Sequence, residues 1–177
     1  YPAEDSEVRA TGVRYARGGN ATNTLVVLAG LGRRCAWAGC LADDANSVRI
    51  VTDLQQQGVA LDWVEHQLGG VTPTSYVWLA EDTGSRTIVH YRDLAEYSAE
   101  VFFRIPLSDF DWIHFEGRNV PHLERMLRHV RESGGPPCSL ELEKPREGIE
   151  RLAHWPDLLL LGRGYAVARG HPSAAAL

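Results

Sequence analysis

Five short apolar runs, each closed by a polar or glycine-bearing cluster, constrain this chain more than any other feature. They are Cys35 to Leu41, Val59 to Val64, Asp111 to Phe115, Cys138 to Leu142 and Leu158 to Leu161. Runs of this length, apolar on both sides, are the pattern of strands covered on both faces of a parallel sheet. Between them lie segments with helical signals. Asp43, Asp44 and Ser47 are possible caps for an amphipathic helix carrying Val48, Val51 and Leu54, and Gly58 marks its end. Pro121 opens a helix reaching about Arg131, and Ser133-Gly134-Gly135-Pro136-Pro137 breaks the chain after it. Strands alternating with helices imply crossover units and an α/β fold.

Two departures from this alternation stand out. Glu7 to Arg17 intersperses Val8, Ala10, Val13 and Tyr15 with polar residues, the pattern of a half-buried strand. Thr74 to Ala80 and Arg86 to Arg92 flank Glu81-Asp82-Thr83-Gly84-Ser85 and read as an antiparallel hairpin.

Composition narrows the function. At 177 residues, 44% hydrophobic and 23% charged, the chain is long enough for one core and shows no signature of disorder. A net charge of -5 without a basic tract argues against a nucleic-acid partner. No run is long enough to span a membrane. Cys35, Cys40 and Cys138 are odd in number and have no C-x-x-C spacing, so a reducing cytoplasm is the expected setting. The seven histidines form no metal-binding motif, and His122 with His129 fits a solvated helix stripe. The five tryptophans sit in apolar runs and read as core. The chain opens without Met at Tyr1-Pro2 and stops in Ser173-Ala174-Ala175-Ala176-Leu177, which looks like an unfinished helix; a fragment of a longer protein is expected.

Chemistry concentrates in Arg17-Gly18-Gly19-Asn20-Ala21-Thr22-Asn23. Two glycines let the backbone bend and approach a ligand closely, and Asn20 and Thr22 are good N-cap types for a buried helix through Leu25 to Leu31. Backbone N–H groups at a helix start, joined by the amides of Asn20 and Asn23, suit a neutral polyhydroxyl ligand. A glycine turn before an ordinary capped helix is the alternative. Glu116-Gly117-Arg118-Asn119, Glu141 with Glu143-Lys144, and Gly162-Arg163-Gly164 follow apolar strands and belong at the sheet edge where ligands bind in such folds. Glu141 and Glu143 alternate on one strand and face the same side, an arrangement more common in salt-bridged sheet ends than in hydrolases.

The Gly-Gly-Asn-x-x-Asn elbow, the Gly-Ser-Arg-Thr hairpin at residues 84–87 and Glu116-Gly117-Arg118-Asn119 occur together, in this order, in the ribokinase-like (PfkB) carbohydrate kinases. With Glu143-Lys144-Pro145-Arg146-Glu147, the chain most resembles the ketohexokinase branch, and the resemblance covers nearly its whole length. It implies a doubly wound, mostly parallel sheet with a projecting β-lid, truncated at both ends, the lid strands falling at about residues 5–17 and 72–92. It also implies ATP-dependent phosphorylation of a ketohexose such as fructose, with Mg²⁺ carried by the nucleotide and a homodimer formed through the lid. In that frame Gly19, Asn20 and Asn23 hold sugar hydroxyls, and Asp5 reaches into the partner's sugar site. Arg86 lies near the transferring phosphate, where a guanidinium stabilises charge on the phosphoryl oxygens. Arg118, Asn119, Glu143 and Lys144 lie on the nucleotide side. The family's aspartate base, in a Gly-Ala-Gly-Asp motif, has no match in this chain and is expected beyond Leu177; the first family strand is expected before Tyr1. A non-catalytic sugar-binding or dimerisation module is the alternative function.

Overall fold

A computed structural model describes residues 4–172 and 176. The apolar runs do become strands, and the parallel ones fall into two groups. In the first, β1 (Cys35–Ala42) crosses through helix α2 (Ala45–Gln56) to β2 (Val59–Gln67), which lies parallel to it. In the second, β5 (Ile113–Glu116), β6 (Cys138–Leu142) and β7 (Leu158–Leu161) form a parallel sheet with β6 at the centre. The single continuous sheet implied by the alternation is thus two ladders with no shared hydrogen bonds among the described residues. Helix α1 (Asn20–Gly30) spans the division, touching β1, β2 and β5.

The principal core belongs to the second group. Helix α4 (Val120–Glu132) turns Leu123, Met126, Leu127 and Val130 inward, the three-and-four spacing of one helix face. They meet Phe115, Leu140 and Leu142 of the sheet, Phe102 from the short helix α3 (Ala99–Phe102), and Ile149 and Leu152 from a 3₁₀ turn between β6 and β7. Trp63 of β2 and Tyr97 pack on this cluster and tie the first ladder to it.

The hairpin is present as β3 (Val71–Leu79) and β4 (Arg86–Asp93), antiparallel, with Tyr76 opposite Val89 and Leu79 opposite Arg86. A nine-residue strand reaches about 30 Å, so the tip lies far from the root. Its root is bolted to α2. Asp44, the N-cap of α2, accepts hydrogen bonds from Ser47 N (2.8 Å), Thr72 N (2.8 Å) and Thr72 Oγ1 (2.7 Å), and the buried Ser47 and Thr72 hydroxyls lie 2.7 Å apart. Burial pushes the Asp44 carboxyl up, but the hydrogen bonds from Thr72 and Ser47 outweigh it and bring it down to about 2. A depressed carboxyl contributes stability that is complete above its unfolded value of 3.8 and disappears as pH falls through about 2. Asp44→Ala is therefore expected to cost about 1 kcal/mol at neutral pH, the usual size of a lost N-cap. In urea melts the gap to wild type should close between pH 4 and pH 2; a gap independent of pH over that window would contradict the assignment.

Other expectations also change. The run Leu158 to Leu161 is a strand but not a covered one, since Leu158 and Leu160 are exposed. Residues 5–17 form no strand: Glu4 and Asp5 make a turn, and the chain from Ser6 to Gly18 is largely exposed with no ladder partner among the described residues. It is held instead by side chains, Thr11 Oγ1 donating to Glu81 Oε1 at the hairpin loop (3.0 Å) and Arg49 lying over the Tyr15 ring. Helix α1 begins at Asn20 with Gly19 as its N-cap, and it is not a buried helix, since Val27 and Leu31 are exposed. His122 and His129 do not form a solvated stripe: His122 Nδ1 accepts from Ala99 N (3.1 Å) and His129 packs on Phe103. Of the tryptophans, Trp63 and Trp155 join the core while Trp78 and Trp112 are half exposed. Helices α3 and α5 (Arg163–Ala168) carried no legible signal, and most of the expected C-terminal helix lies outside the described residues.

Candidate functional site at the elbow and strand rim

The elbow turns on one residue. Gly19 has φ 102°, in the region that disfavours side chains, and a Cβ there would meet Thr22 Oγ1 at 2.7 Å. Thr22, which is buried, locks the turn from within by donating to Gly18 O (2.8 Å), with Gly19 O at 3.1 Å. Asn23 N donates to Gly19 O (3.0 Å) and closes the first helical turn. Asn20 and Asn23 are three residues apart on α1, so their side chains share one face at the helix start.

The rim clusters then converge on this elbow. Parallel register sets Glu116 of β5 beside Glu141 of β6, and Glu141 beside Leu160 of β7. Glu116 Oε1 accepts from Ala21 N at 2.6 Å, placing a carboxylate on the positive end of α1. Its other oxygen accepts from Arg118 Nε at 2.9 Å. The Asn20 amide nitrogen lies 3.4 Å from both oxygens of Glu141. Gly117 permits this approach, because its N–H donates to Glu141 O (2.8 Å) and a Cβ would come within 2.6 Å of the same oxygen. Gly162 N likewise donates to Leu142 O (2.9 Å), bringing the third cluster to the same edge.

Of the residues expected in a site, Gly19, Asn20 and Asn23 form the elbow and Arg118 is tied to it through Glu116. Asn119 adopts a left-handed conformation (φ 41°) as the N-cap of α4, and its amide nitrogen lies 3.4 Å from Tyr97 O. Glu143 and Lys144 follow β6 and are exposed. Asp5 and Arg86 are not brought to the elbow by any bond; both are exposed, Arg86 at the loop end of the hairpin. The sequence placed Arg17 in the elbow stretch without giving it a role, and it missed Asp53 altogether. Arg17 Nε donates to Asp53 Oδ2 (2.7 Å) and its Nη1 to Asn23 Oδ1 (2.9 Å). Nothing local marks Asp53, which sits on α2, 36 positions away.

No group of three or more His, Cys, Asp or Glu among the described residues could hold a metal. The thiols are poor nucleophiles, because burial pushes all three up and Cys40, further raised by neighbouring Glu65, to about 12. What the site offers is neutral amides and backbone, framed by carboxylates. Hydroxyls, which donate and accept at once, match that set.

Residues 1–163 match the pfkB family of carbohydrate kinases. The chain belongs to that family. Along its whole length it is 37% identical to ketohexokinase of Mus musculus, of which it spans 62%. Among solved structures, ribokinase of Thermotoga maritima superposes with a TM-score of 0.69 at 16% identity, over 93% of this chain and 54% of that one. Fructokinase of Xylella fastidiosa gives 0.62 at 22% identity, over 86% of this chain and 48% of that one. At such identities the structures speak for the fold alone, and it is the ribokinase-like α/β fold read from the sequence. In this PfkB chain the elbow therefore lies at the carboxyl ends of β5 and β6, the edge where α/β sheets bind ligands.

Proposed function

We propose that the protein to which this chain belongs phosphorylates a ketohexose such as fructose, using ATP and Mg²⁺. The observation that carries this reading is the convergence of Asn20 and the start of α1, which also bears Asn23, on the strand ends bearing Glu116 and Glu141, in a PfkB chain 37% identical to ketohexokinase. In the reading, Gly19, Asn20 and Asn23 bind and orient the sugar. ATP supplies the transferable phosphoryl group, and Mg²⁺, which no cluster of the described residues would hold unaided, comes with the nucleotide. Arg118 and Lys144 are two rim cations chemically suited to phosphate, with Asn119 and Glu143 beside them on the nucleotide side, although Arg118 is already paired with Glu116. Arg86 meets the phosphoryl group when the hairpin closes over the sugar.

The proton on the attacking hydroxyl needs a base. The Asp that would take it is not in this chain, and we assign it to a part of the protein following Leu177. Two subunits pair through the hairpin, where Tyr76, Trp78, Val89 and Tyr91 expose one apolar face, and Asp5 enters the partner's sugar site. Unpaired thiols at Cys35, Cys40 and Cys138 favour the cytoplasm. The missing base motif favours a second reading for the 177 residues by themselves, a sugar-binding or dimerisation module without turnover.

Side-by-side assays of ATP consumption with fructose and Mg²⁺ test the proposal, with hydrodynamic mass measured on the same samples. Turnover is expected in the longer protein and not in the 177-residue chain, with the longer protein migrating as a dimer. Turnover by the chain itself would overturn the assignment of the base. No turnover in the longer protein with any ketose would overturn the substrate, and a monomer would overturn the lid interface.

A further inference from the structure

The two elbow asparagines are gripped by opposite ends of their amides. Arg17 can only donate, and it takes the Asn23 carbonyl: Nη1 to Oδ1 at 2.9 Å. Its Nε is anchored on Asp53 Oδ2 at 2.7 Å, and with its side chain only 10% exposed the guanidinium is held between the two. Glu141 can only accept, and its two oxygens straddle the Asn20 amide nitrogen at 3.4 Å each. An amide whose oxygen is engaged by a guanidinium keeps its NH₂ for a ligand, and one whose NH₂ faces a carboxylate keeps its oxygen. Neither remaining group, Asn23 Nδ2 or Asn20 Oδ1, has a hydrogen-bond partner among the described residues.

We propose that Arg17 and Glu141 are positioning residues that make Asn23 a donor and Asn20 an acceptor, so that the pair reads two hydroxyls of one sugar with opposite polarity. One hydroxyl oxygen accepts from Asn23 Nδ2 and the other hydroxyl donates to Asn20 Oδ1. Residues three apart on a helix have Cβ atoms roughly 5–6 Å from each other, a span that two hydroxyls of one sugar can bridge. Asp53 belongs to the device because it fixes the guanidinium that fixes the amide. The inference rests on the sugar-binding reading above and adds to it which atoms do the reading. It also explains why an ion pair from α2 reaches across to the elbow of a different helix.

The test is calorimetric titration of the whole protein with D-fructose, repeated with ribose and glucose. Arg17→Gln should weaken binding of the preferred sugar about tenfold, the size of one well-placed hydrogen bond, while leaving ATP affinity unchanged. The same substitution in an Asn23→Ala background should weaken it no further. Equal losses in both backgrounds would mean that Arg17 only supports the fold, and would overturn the proposal. Asp53→Asn keeps Arg17 but removes its anchoring charge, so it should give the same pattern at smaller amplitude and serves if Arg17→Gln fails to fold. Unchanged sugar affinity in Asp53→Asn would also count against the proposal. A wild-type protein that binds none of the three sugars would instead overturn the sugar-binding reading itself, a result distinguishable from every variant outcome.

Discussion

Gly19→Ala should lower the unfolding free energy by about 2 kcal/mol, while Gly18→Ala, one position earlier, should be neutral or slightly stabilising by about 0.4 kcal/mol. The contrast follows from backbone and space together. At Gly19 φ is 102° and the new methyl would lie 2.7 Å from Thr22 Oγ1, a buried side chain that cannot swing away without giving up its bond to Gly18 O. At Gly18 nothing lies within 4 Å of the same methyl and φ is not positive. Urea denaturation of the two variants measures the difference directly. Because Gly19 is also the N-cap from which α1 starts, the turn that relaxes to accommodate alanine carries Asn20, Ala21 and Asn23 with it. The Ala21 N–H would be drawn off Glu116, so sugar affinity should fall together with stability. Equal stabilities of the two variants would remove the strained elbow from this account.

The same elbow shows how far the sequence could be read. Glycines followed by two asparagines announced a backbone turn and a polar surface, because those residue types have few other uses before an apolar segment. The strands β5 and β6 were legible for a similar reason: an apolar run of four or five residues ending in charge reads as a covered strand reaching an edge. The run Leu158 to Leu161 was legible as strand β7 but not as a covered one, since Leu158 and Leu160 are exposed at the outside of the three-stranded sheet. The Arg17–Asp53 bridge was not legible, since it joins two elements 36 residues apart and depends on how α2 packs beside the elbow. Residues 5–17 misled because alternation marks a strand only where a neighbouring strand offers its free edge, and here Val8, Val13 and Tyr15 are exposed. Helix α1 misled in the opposite way. Its apolar residue Val27 and its C-cap Leu31 predict burial, yet both are exposed.

The largest loss of stability is expected from Leu140→Ala. Leu140 is fully buried at the middle of β6, which carries β5 on one side and β7 on the other, so no edge is available for the surroundings to collapse inward. Large-to-small changes at such sites cost about 2–5 kcal/mol, a large share of the roughly 5–15 kcal/mol that holds a domain together. For a chain of this size the melting temperature should fall by about 5–15 °C. Its neighbour sharpens the prediction: Glu141 faces the elbow and bonds Asn20, so β6 serves the core with one side chain and the site with the next. If backbone register alone sets the site, Leu140→Ala should lower the melting temperature and leave sugar affinity nearly unchanged below the transition. Asn20→Ala should do the reverse, weakening the sugar while sparing the fold, because Asn20 is exposed. Loss of sugar affinity in Leu140→Ala well below its melting temperature would show that core packing, and not register, holds Glu141 in reach of the elbow.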